Sequence, residues 1–178
     1  ALESVGGYLD AYTGREHTCY YAHFLPEHLP RALDVLSDML RNPAFAPEEI
    51  ERKRQQVVAG LRVSYEDPGY IAAVVFARLV FGFHPYGLPE NGTPDSVARI
   101  TRDDLVHFHK AYFTPNNCLM AVVGDVTTEE AFSGVERALG NWPSRDVSLA
   151  TLPEAPAPTR RVIVIDKPGS VQTEIRVG

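Results

Sequence analysis

The sequence has few of the features that define disulfide-rich, metal-binding or membrane proteins. It contains two cysteines, Cys19 and Cys118, which lie far apart in apolar surroundings and match no C-x-x-C spacing. We expect both to be buried free thiols. No apolar run is long enough to cross a bilayer, so we expect no membrane association. The chain opens without a basic-then-apolar signal segment, and nothing in it identifies a compartment.

Positive charge is also scarce. Lysine and arginine total 17 against 23 acidic residues, which gives a formal net charge of −6. The one basic cluster, residues 52–54, lies inside a helical pattern among glutamates and glutamines. We therefore expect no nucleic-acid partner. A hydrophobic content of 44%, with eight tyrosines and eight phenylalanines, is typical of an ordinary globular chain.

Residues 23–28 read HFLPEH and would match H-x-x-E-H, the inverted zincin motif, if Pro26 were absent. With it, His23 and His28 are five residues apart, about 140° around a helix, and face different sides. In a strand the odd spacing places them on opposite faces. The pattern instead predicts a strand that ends at Leu25, with Pro26 opening a helix. We predict no metal site here.

Periodicity predicts a mixture of strands and helices. Residues 6–25 alternate between polar and apolar types around Gly14-Arg15-Glu16, which predicts two strands joined by a tight turn. The segment 116–126 predicts a central strand, and 83–100, rich in glycine and proline, predicts a loop ending in a short helical turn. Apolar residues at three- and four-residue steps predict helices over 26–42, 46–67, 67–82, 101–113 and 127–142. The third of these, 67–82, is mostly apolar and is expected to be buried.

A change of composition predicts the domain organisation. Residues 146–160 are rich in proline and lack helical periodicity, which is typical of an interdomain linker. Residues 161–178 form two β-rich runs around Lys167-Pro168-Gly169-Ser170, which predicts a hairpin. We therefore predict one α+β domain over 1–145, a linker over 146–160, and the first hairpin of a second domain over 161–178.

No set of polar residues forms a convincing catalytic constellation. His107 and His109 are two apart in a helix, about 200° around its axis, and do not share a metal. We expect His17 to lie on the surface and His84 to bond within its own loop. The serines lack a G-x-S-x-G context, and the glycine-rich stretches match no phosphate-binding pattern.

The order of segments resembles that of a known family. The stretches LESVGGYLDAYTGREHTCYYAHFLPEHLPRALDVLSDML, PAFAPEEIERKRQQVV and EDPGYIAAVVFARLVFGFHPYGLPENGTPDSVARITRDDLVHFHKAYFTPNNCLMAVVGDVT are similar to the M16 peptidases, which include pitrilysin, insulinase and the mitochondrial processing peptidases. The resemblance implies an α+β sandwich of the processing-peptidase type, a mixed sheet with packed helices. It also implies that the N-terminal strands and the helix carrying H-x-x-E-H lie before Ala1.

The resemblance also implies where zinc would be bound, and this chain departs from the pattern there. The family's third zinc ligand is a glutamate in the helix matching residues 47–64, and IERKRQQVVAGLR aligns it with Gly60. An accessory glutamate aligns with Lys53. Glu51 and Glu66 are about 180° and 240° around a helix from position 60, so neither replaces it. We therefore predict no catalytic residue, no metal ligand and no cofactor in this chain, although active members bind zinc.

The resemblance implies one functional feature that does not depend on zinc. In active relatives the strand matching LDAYT is an exposed edge that pairs with extended substrate. Here Asp10, Ala11, Tyr12 and Thr13 hold those positions, Asp10 where asparagine is common, and a plain strand without ligand is the alternative. We predict a non-catalytic M16 subunit or half that binds peptide and works in a homo- or heterodimer with another M16 domain. The alternatives are an active zinc endopeptidase with H-x-x-E-H upstream, and a purely structural subunit.

Overall fold

The structure, a computed structural model, describes residues 3–157 and 159–178. They form two compact units, one from residues 3–45 and 102–149, and the other from residues 46–101 with the described part of 150–178. The regular elements are two strands and six helices, in the order β1 Tyr8–Thr13, β2 Thr18–His23, α1 Leu29–Arg41, α2 Pro47–Ser64, α3 Pro68–Phe81, α4 Pro94–Arg99, α5 Arg102–Tyr112 and α6 Thr128–Leu139. Single turns of 3₁₀ helix occur at Glu3–Val5, Pro26–His28, Pro85–Gly87 and Pro115–Asn117.

A β-hairpin and three helices make up the first unit. β1 and β2 pair in antiparallel register, with Asp10 opposite Tyr21 and Thr13 opposite Thr18. The predicted hairpin is thus confirmed, as is the helical turn that Pro26 opens after β2. Because neighbouring strand residues face opposite sides, Tyr20 lies on the inner face, where its ring meets Phe113 at 6.3 Å between centroids.

The core of this unit lies between α1 and α6. Its apolar residues come mainly from α1, because the three- and four-residue spacing of the leucines places them on one face. The Ser37 hydroxyl donates to the carbonyl of Ala138 at 2.9 Å, and the Arg41 guanidinium donates to Asn141 Oδ1 at 2.7 Å. The hydrophobic residues of the unit that are at most 9% exposed are Ala32, Leu33, Leu36 and Trp142.

The second unit contains α2, α3 and α4. α2 packs against α4, where the Arg54 guanidinium donates to the carbonyl of Val97. α3 begins at Pro68 after an Asp67 cap whose side chain accepts the Gly69 N–H, and it packs against the turn Pro85–Gly87. In 150–178 the described residues form no helix or strand.

Four sequence predictions are wrong in detail. The segment predicted as a central strand, 116–126, forms no strand, and neither do the two runs predicted as a hairpin in 161–178, because a strand exists only through pairing and the one sheet among the described residues contains β1 and β2 alone. α3 has no buried residue in the described structure, although its composition is largely apolar. Cys118 is exposed, since the extended segment that carries it is not covered, whereas Cys19 is partly buried.

None of the helices in the described ranges is both long enough and apolar enough to span a membrane.

Candidate functional site

The most distinctive functional feature of the first unit is the unpaired side of β1. The sheet has two strands, so no strand of the described structure lies on the other side of β1. The Gly14 N–H donates to the His17 carbonyl at 2.9 Å and starts the alternation of the antiparallel ladder. Because the direction of the backbone N–H and C=O groups alternates along a strand, those of Leu9, Ala11 and Thr13 point away from β2. We call this row the free edge of β1.

The side chain of Asp10 is hydrogen-bonded at the middle of the free edge. Its Oδ1 accepts the N–H of Ala11 at 2.8 Å, and its Oδ2 accepts the hydroxyl of Tyr8 at 2.8 Å. The Tyr8 hydroxyl and the Ala11 N–H hold the pKa of Asp10 below its ordinary value, so the carboxylate is charged at neutral pH. The same hydrogen bond raises the pKa of Tyr8 to about 12.

The rings around Asp10 form the outer face of the hairpin. Tyr8, Asp10 and Tyr12 project from alternate positions of β1, and Tyr21 projects from β2 directly opposite Asp10. The Tyr21 ring lies 6.1 Å from that of Tyr8 and 6.4 Å from that of Tyr12, between centroids. Tyr8 and Tyr12 are 51% and 54% exposed, so this face is open to solvent in the described structure. At the end of the strand, the hydroxyl of Thr13 bonds that of Thr18 at 3.1 Å.

The second position of interest is Gly60, on α2. Gly60 and Lys53 are seven residues apart, about 20° around the helix axis, so they share one exposed face. A Cβ added at Gly60 would meet no atom within 4 Å. Gly60 is therefore not required here for a close approach of backbones, and a side chain would extend into open space. The hydroxyl of Ser64 donates to the Gly60 carbonyl at 3.1 Å.

The acidic residues nearest to Gly60 in sequence are engaged elsewhere. Glu51 accepts from Arg54 at 3.0 Å and from Gln55 at 3.2 Å, while Glu66 forms an ion pair with Lys167 at 3.1 Å. Across residues 3–157 and 159–178, no group of three or more histidine, cysteine, aspartate or glutamate side chains is placed to hold a metal ion. The donor set around Lys53 and Gly60 therefore does not fit a catalytic zinc, which takes three protein ligands.

The histidines have structural surroundings. The Tyr86 N–H donates to His84 Nδ1 at 3.2 Å, which confirms the expected bond within that loop. His109 Nε2 lies 2.7 Å from the carbonyl of Leu40 and joins α5 to the end of α1. His17 is exposed, as predicted, with Nε2 at 3.4 Å from the Tyr12 hydroxyl.

Sequence reasoning missed two residues of the candidate site, Tyr8 and Tyr21. Both were visible as aromatic residues in alternating strands, but only the register of the hairpin brings their rings to Asp10. Once the turn at Gly14 to His17 is known, that register follows by counting.

Comparison with known proteins agrees with this architecture of an α+β peptidase domain. A sequence model of the family described as Insulinase (Peptidase family M16) matches residues 1–79. A second model, described as Peptidase M16 inactive domain, matches residues 99–178. The chain belongs to the M16 peptidase family.

Curated relatives carry the same assignment. A protein of Mycobacterium leprae named as a zinc protease is 37% identical over 141 residues, which are 79% of this chain and 32% of the relative. A probable mitochondrial-processing peptidase subunit beta of Arabidopsis thaliana is 37% identical over 139 residues, 76% of this chain and 26% of the relative. The chain thus spans about a third or less of the length of these relatives.

Among solved structures, a peptidase M16 inactive domain from Pseudomonas fluorescens superposes with a TM-score of 0.79 at 22% identity. The match covers 87% of this chain and 38% of that one. It confirms the predicted fold, the α+β fold of M16 domains.

Proposed function

We propose that this chain is part of a non-catalytic M16 subunit or half, one that binds extended peptide beside a catalytic M16 domain. The observation that carries the proposal is Gly60. At the position where the resemblance places the third zinc ligand, α2 has no side chain, and Lys53 on the same face has the wrong charge. Two neutral imidazoles would bind zinc without the carboxylate that completes the three protein ligands.

The engagement of neighbouring carboxylates supports the same conclusion. A substitute ligand would have to come from Glu51 or Glu66, and each already has a basic partner. Glu51 is also on the opposite side of α2, about 180° from Gly60. Either residue would have to give up its ion pair and reach around the helix.

Zinc content and peptide hydrolysis test the non-catalytic assignment directly. We expect the full-length protein, purified alone, to contain far less than one zinc per chain and to cleave no peptide. The double variant Lys53→Glu with Gly60→Glu returns both carboxylates to an exposed face with open space at position 60. If H-x-x-E-H lies upstream, this variant should gain bound zinc, and Lys53→Gln with Gly60→Gln is its uncharged control.

Stoichiometric zinc together with turnover by the unaltered protein would overturn the proposal. That result would favour the second candidate, an active zinc endopeptidase, which has the support of relatives named as zinc proteases at 37% identity.

The second part of the proposal is peptide binding. The basis for peptide binding is the free edge of β1. An extended peptide adds a strand to such an edge through main-chain hydrogen bonds. Leu9, Ala11 and Thr13 would supply donors and acceptors, and Ala11 would exchange its bond to Asp10 for one to the peptide.

Amide hydrogen exchange resolves this binding residue by residue. On addition of excess peptide we expect slower exchange at Leu9, Ala11 and Thr13, whose N–H groups point to the free edge. Exchange at Tyr8, Asp10 and Tyr12 should change little, because these amides already face β2. Unchanged exchange at all six amides would favour the third candidate, a purely structural subunit.

A substitution on the edge gives an independent readout. Ala11→Pro removes the donor at the centre of the free edge, where proline is tolerated because that N–H does not serve the ladder to β2. We expect peptide affinity to fall about threefold to tenfold, the equivalent of one main-chain hydrogen bond. Ala11→Val keeps the donor and the β-propensity and is the matched control.

A further inference from the structure

The irregular segment that follows α6 contains two consecutive arginines, Arg160 and Arg161. We propose that this pair is a cleavage site for an endoprotease that recognises paired basic residues. Hydrolysis of the bond between Arg161 and Val162 would add the hydroxyl of water to the Arg161 carbonyl carbon and its remaining hydrogen to the Val162 nitrogen. The cut would separate residues 1–161 from the chain beyond them. This inference goes beyond the proposed function and depends on neither zinc nor peptide binding at β1.

The backbone around the pair is exposed between two points of contact. Upstream, the ring of Pro156 lies against Gly82, where an added Cβ would be 2.9 Å from Pro156 Cδ. Downstream, Lys167 forms an ion pair with Glu66 at 3.1 Å. Every described residue from 157 to 166 is exposed, and none of them belongs to a helix, a strand or a turn. Exposed segments of this kind are preferred sites of proteolytic cleavage.

The main-chain and side-chain groups of the pair are available to a protease. Neither Arg160 nor Arg161 forms a hydrogen bond or an ion pair with another described residue. An extended substrate is held through main-chain hydrogen bonds, so unbonded N–H and C=O groups are required. A carboxylate in a specificity pocket binds the guanidinium of arginine through two parallel hydrogen bonds. Val162 is 88% exposed, so packing does not cover the residue after the cut.

The other basic cluster of the chain, residues 52–54, lacks these properties. It lies inside α2, where the main-chain groups are bonded within the helix. Arg52 forms an ion pair with Glu49, and Arg54 forms one with Glu51. Cleavage at this cluster would require α2 to unfold locally, and only the unfolded fraction would be cut.

Two other basic residues show that an irregular backbone alone is not sufficient. The Arg145 N–H donates to Thr114 Oγ1 at 3.1 Å, and its carbonyl accepts from Asn116 Nδ2 at 2.9 Å, so its main-chain groups are engaged. Lys167 is followed by Pro168, whose nitrogen has no hydrogen to donate. The pair at 160–161 has both an irregular backbone and unbonded main-chain groups.

Digestion of the folded full-length protein with a subtilisin-like endoprotease specific for paired basic residues tests the site. Two synthetic peptides, spanning 156–166 and 48–58, give the rate of cleavage at each cluster without structure, and mass spectrometry over time follows all the products. For the cut after Arg161 we expect similar rates in protein and peptide. For residues 52–54 the protein should be cut at least about tenfold more slowly than its peptide, because α2 protects the bonds.

Val162→Pro keeps both arginines and tests the bond itself. Proline has no N–H and a fixed φ, so the variant should no longer be cut after Arg161. Val162→Ile, which retains the N–H and a β-branched side chain, is the matched control and should be cut at the wild-type rate.

Three results would overturn the proposal. If the 156–166 peptide is not cut, the protease does not recognise the pair. If that peptide is cut but the folded protein resists, the pair is not accessible in the full-length chain. If residues 52–54 are cut at the same relative rate as the pair, unfolding of the whole protein rather than exposure of this segment controls cleavage. None of these results bears on zinc content or on the free edge of β1.

Discussion

The ionisation of Tyr8 is coupled to Asp10 through a single hydrogen bond of 2.8 Å. The phenol donates this bond only while it is protonated, so loss of its proton removes the bond and places two negative charges side by side. Both effects raise the pKa of Tyr8, which reaches about 12 against an ordinary value of 10.0. The titration of Tyr8 therefore reports whether its hydrogen bond to Asp10 exists in solution.

We predict that Asp10→Asn lowers the pKa of Tyr8 from about 12 towards 10.0. The neutral amide accepts a weaker hydrogen bond and does not repel the phenolate. NMR titration of protein labelled at the tyrosine ring carbon measures the shift. Tyr70, whose pKa is raised mainly by burial, is the internal control and should titrate alike in both proteins. Equal Tyr8 titrations in the two proteins would contradict the hydrogen bond.

For single residues, the sequence predicts the positions of the candidate site, whereas the structure is needed for the surroundings of those positions. The positions of Asp10 and Gly60 follow from the order of family segments alone. Their surroundings do not, because three-dimensional register brings Tyr21 to Asp10, and only coordinates reveal that a side chain at Gly60 meets nothing within 4 Å.

Helix α6 illustrates how an element is specified by its first turn. The Thr127 hydroxyl accepts the Glu130 N–H at 3.2 Å, and the Glu130 carboxylate accepts the Thr127 N–H at 3.0 Å. The Glu130 carboxylate also accepts the Thr127 hydroxyl at 2.7 Å. The two bonds that this carboxylate accepts, from the N–H and the hydroxyl of Thr127, favour its charged form and lower the pKa of Glu130. The helix predicted over 127–142 therefore starts within one residue of its predicted position, with Thr127 as its cap.

The capping box predicts a defined pH dependence of stability. A folded-state pKa below the unfolded value of about 4.5 means that the stabilisation from Glu130 is fully present above pH 4.5 and is lost as pH falls through the folded-state pKa. We expect the stability difference between the wild type and Glu130→Gln to be positive at pH 7 and to shrink below pH 4.5. Urea unfolding at a series of pH values measures it.

Glu129→Gln is the matched control for that titration. It removes the same charge from the same turn of α6 but no partner of Thr127. Its stability difference should change less over the same pH range. Equal pH profiles for the two variants would show that the helix dipole, rather than the capping box, determines the effect.

Two glycines in helices allow the packing of α1 on α6 to be measured. Both Gly60→Ala and Gly134→Ala gain helix propensity of about 1 kcal/mol. At Gly60 the new methyl group meets open space, whereas at Gly134 it lies 2.9 Å from Leu33 Cδ1, and Leu33 is only 3% exposed. We predict that Gly60→Ala stabilises the protein by about 1 kcal/mol. Gly134→Ala should be less favourable than that by about 1–3 kcal/mol, since overpacking costs this much.

Urea unfolding of both variants, and of Gly134→Ala combined with Leu33→Ala, makes the comparison. The smaller side chain at position 33 should relieve the clash, so the double variant should be more stable than the sum of the single effects predicts. Equal stabilisation by Gly60→Ala and Gly134→Ala would contradict the close contact between α1 and α6.

Helices were more predictable than strands in this chain, and the reason is physical. A helix carries its hydrogen bonds within one segment, so Pro47, Pro68 and Thr127 mark starts that the structure reproduces within one residue. A strand needs a partner from elsewhere. Residues 118–123 have the apolar pattern of a strand but no pairing in the described structure.

Over the whole molecule, the unpaired β-rich segments leave apolar side chains in contact with solvent. Leu119 and Val123 are 94% and 95% exposed, and Val171 is 98% exposed. Such surfaces, like the free edge of β1, are templates for pairing with another chain. The domain division predicted from the sequence, with boundaries at 145 and 160, stays a prediction. Whether the exposed β-rich segments pair with another chain bears directly on that division.

We therefore predict that the isolated chain of 178 residues self-associates in a concentration-dependent way. Sedimentation velocity over a range of concentrations measures this. Leu119→Lys with Val123→Lys places two charges on the exposed segment and should shift the chain towards monomer, whereas Ala11→Pro tests the free edge of β1 separately. The variant with the larger effect identifies the surface that binds a second copy. A monomer at every concentration would mean that neither surface binds a second copy. It would also weaken the case for strand addition at β1, since the same unpaired N–H and C=O groups serve both kinds of pairing.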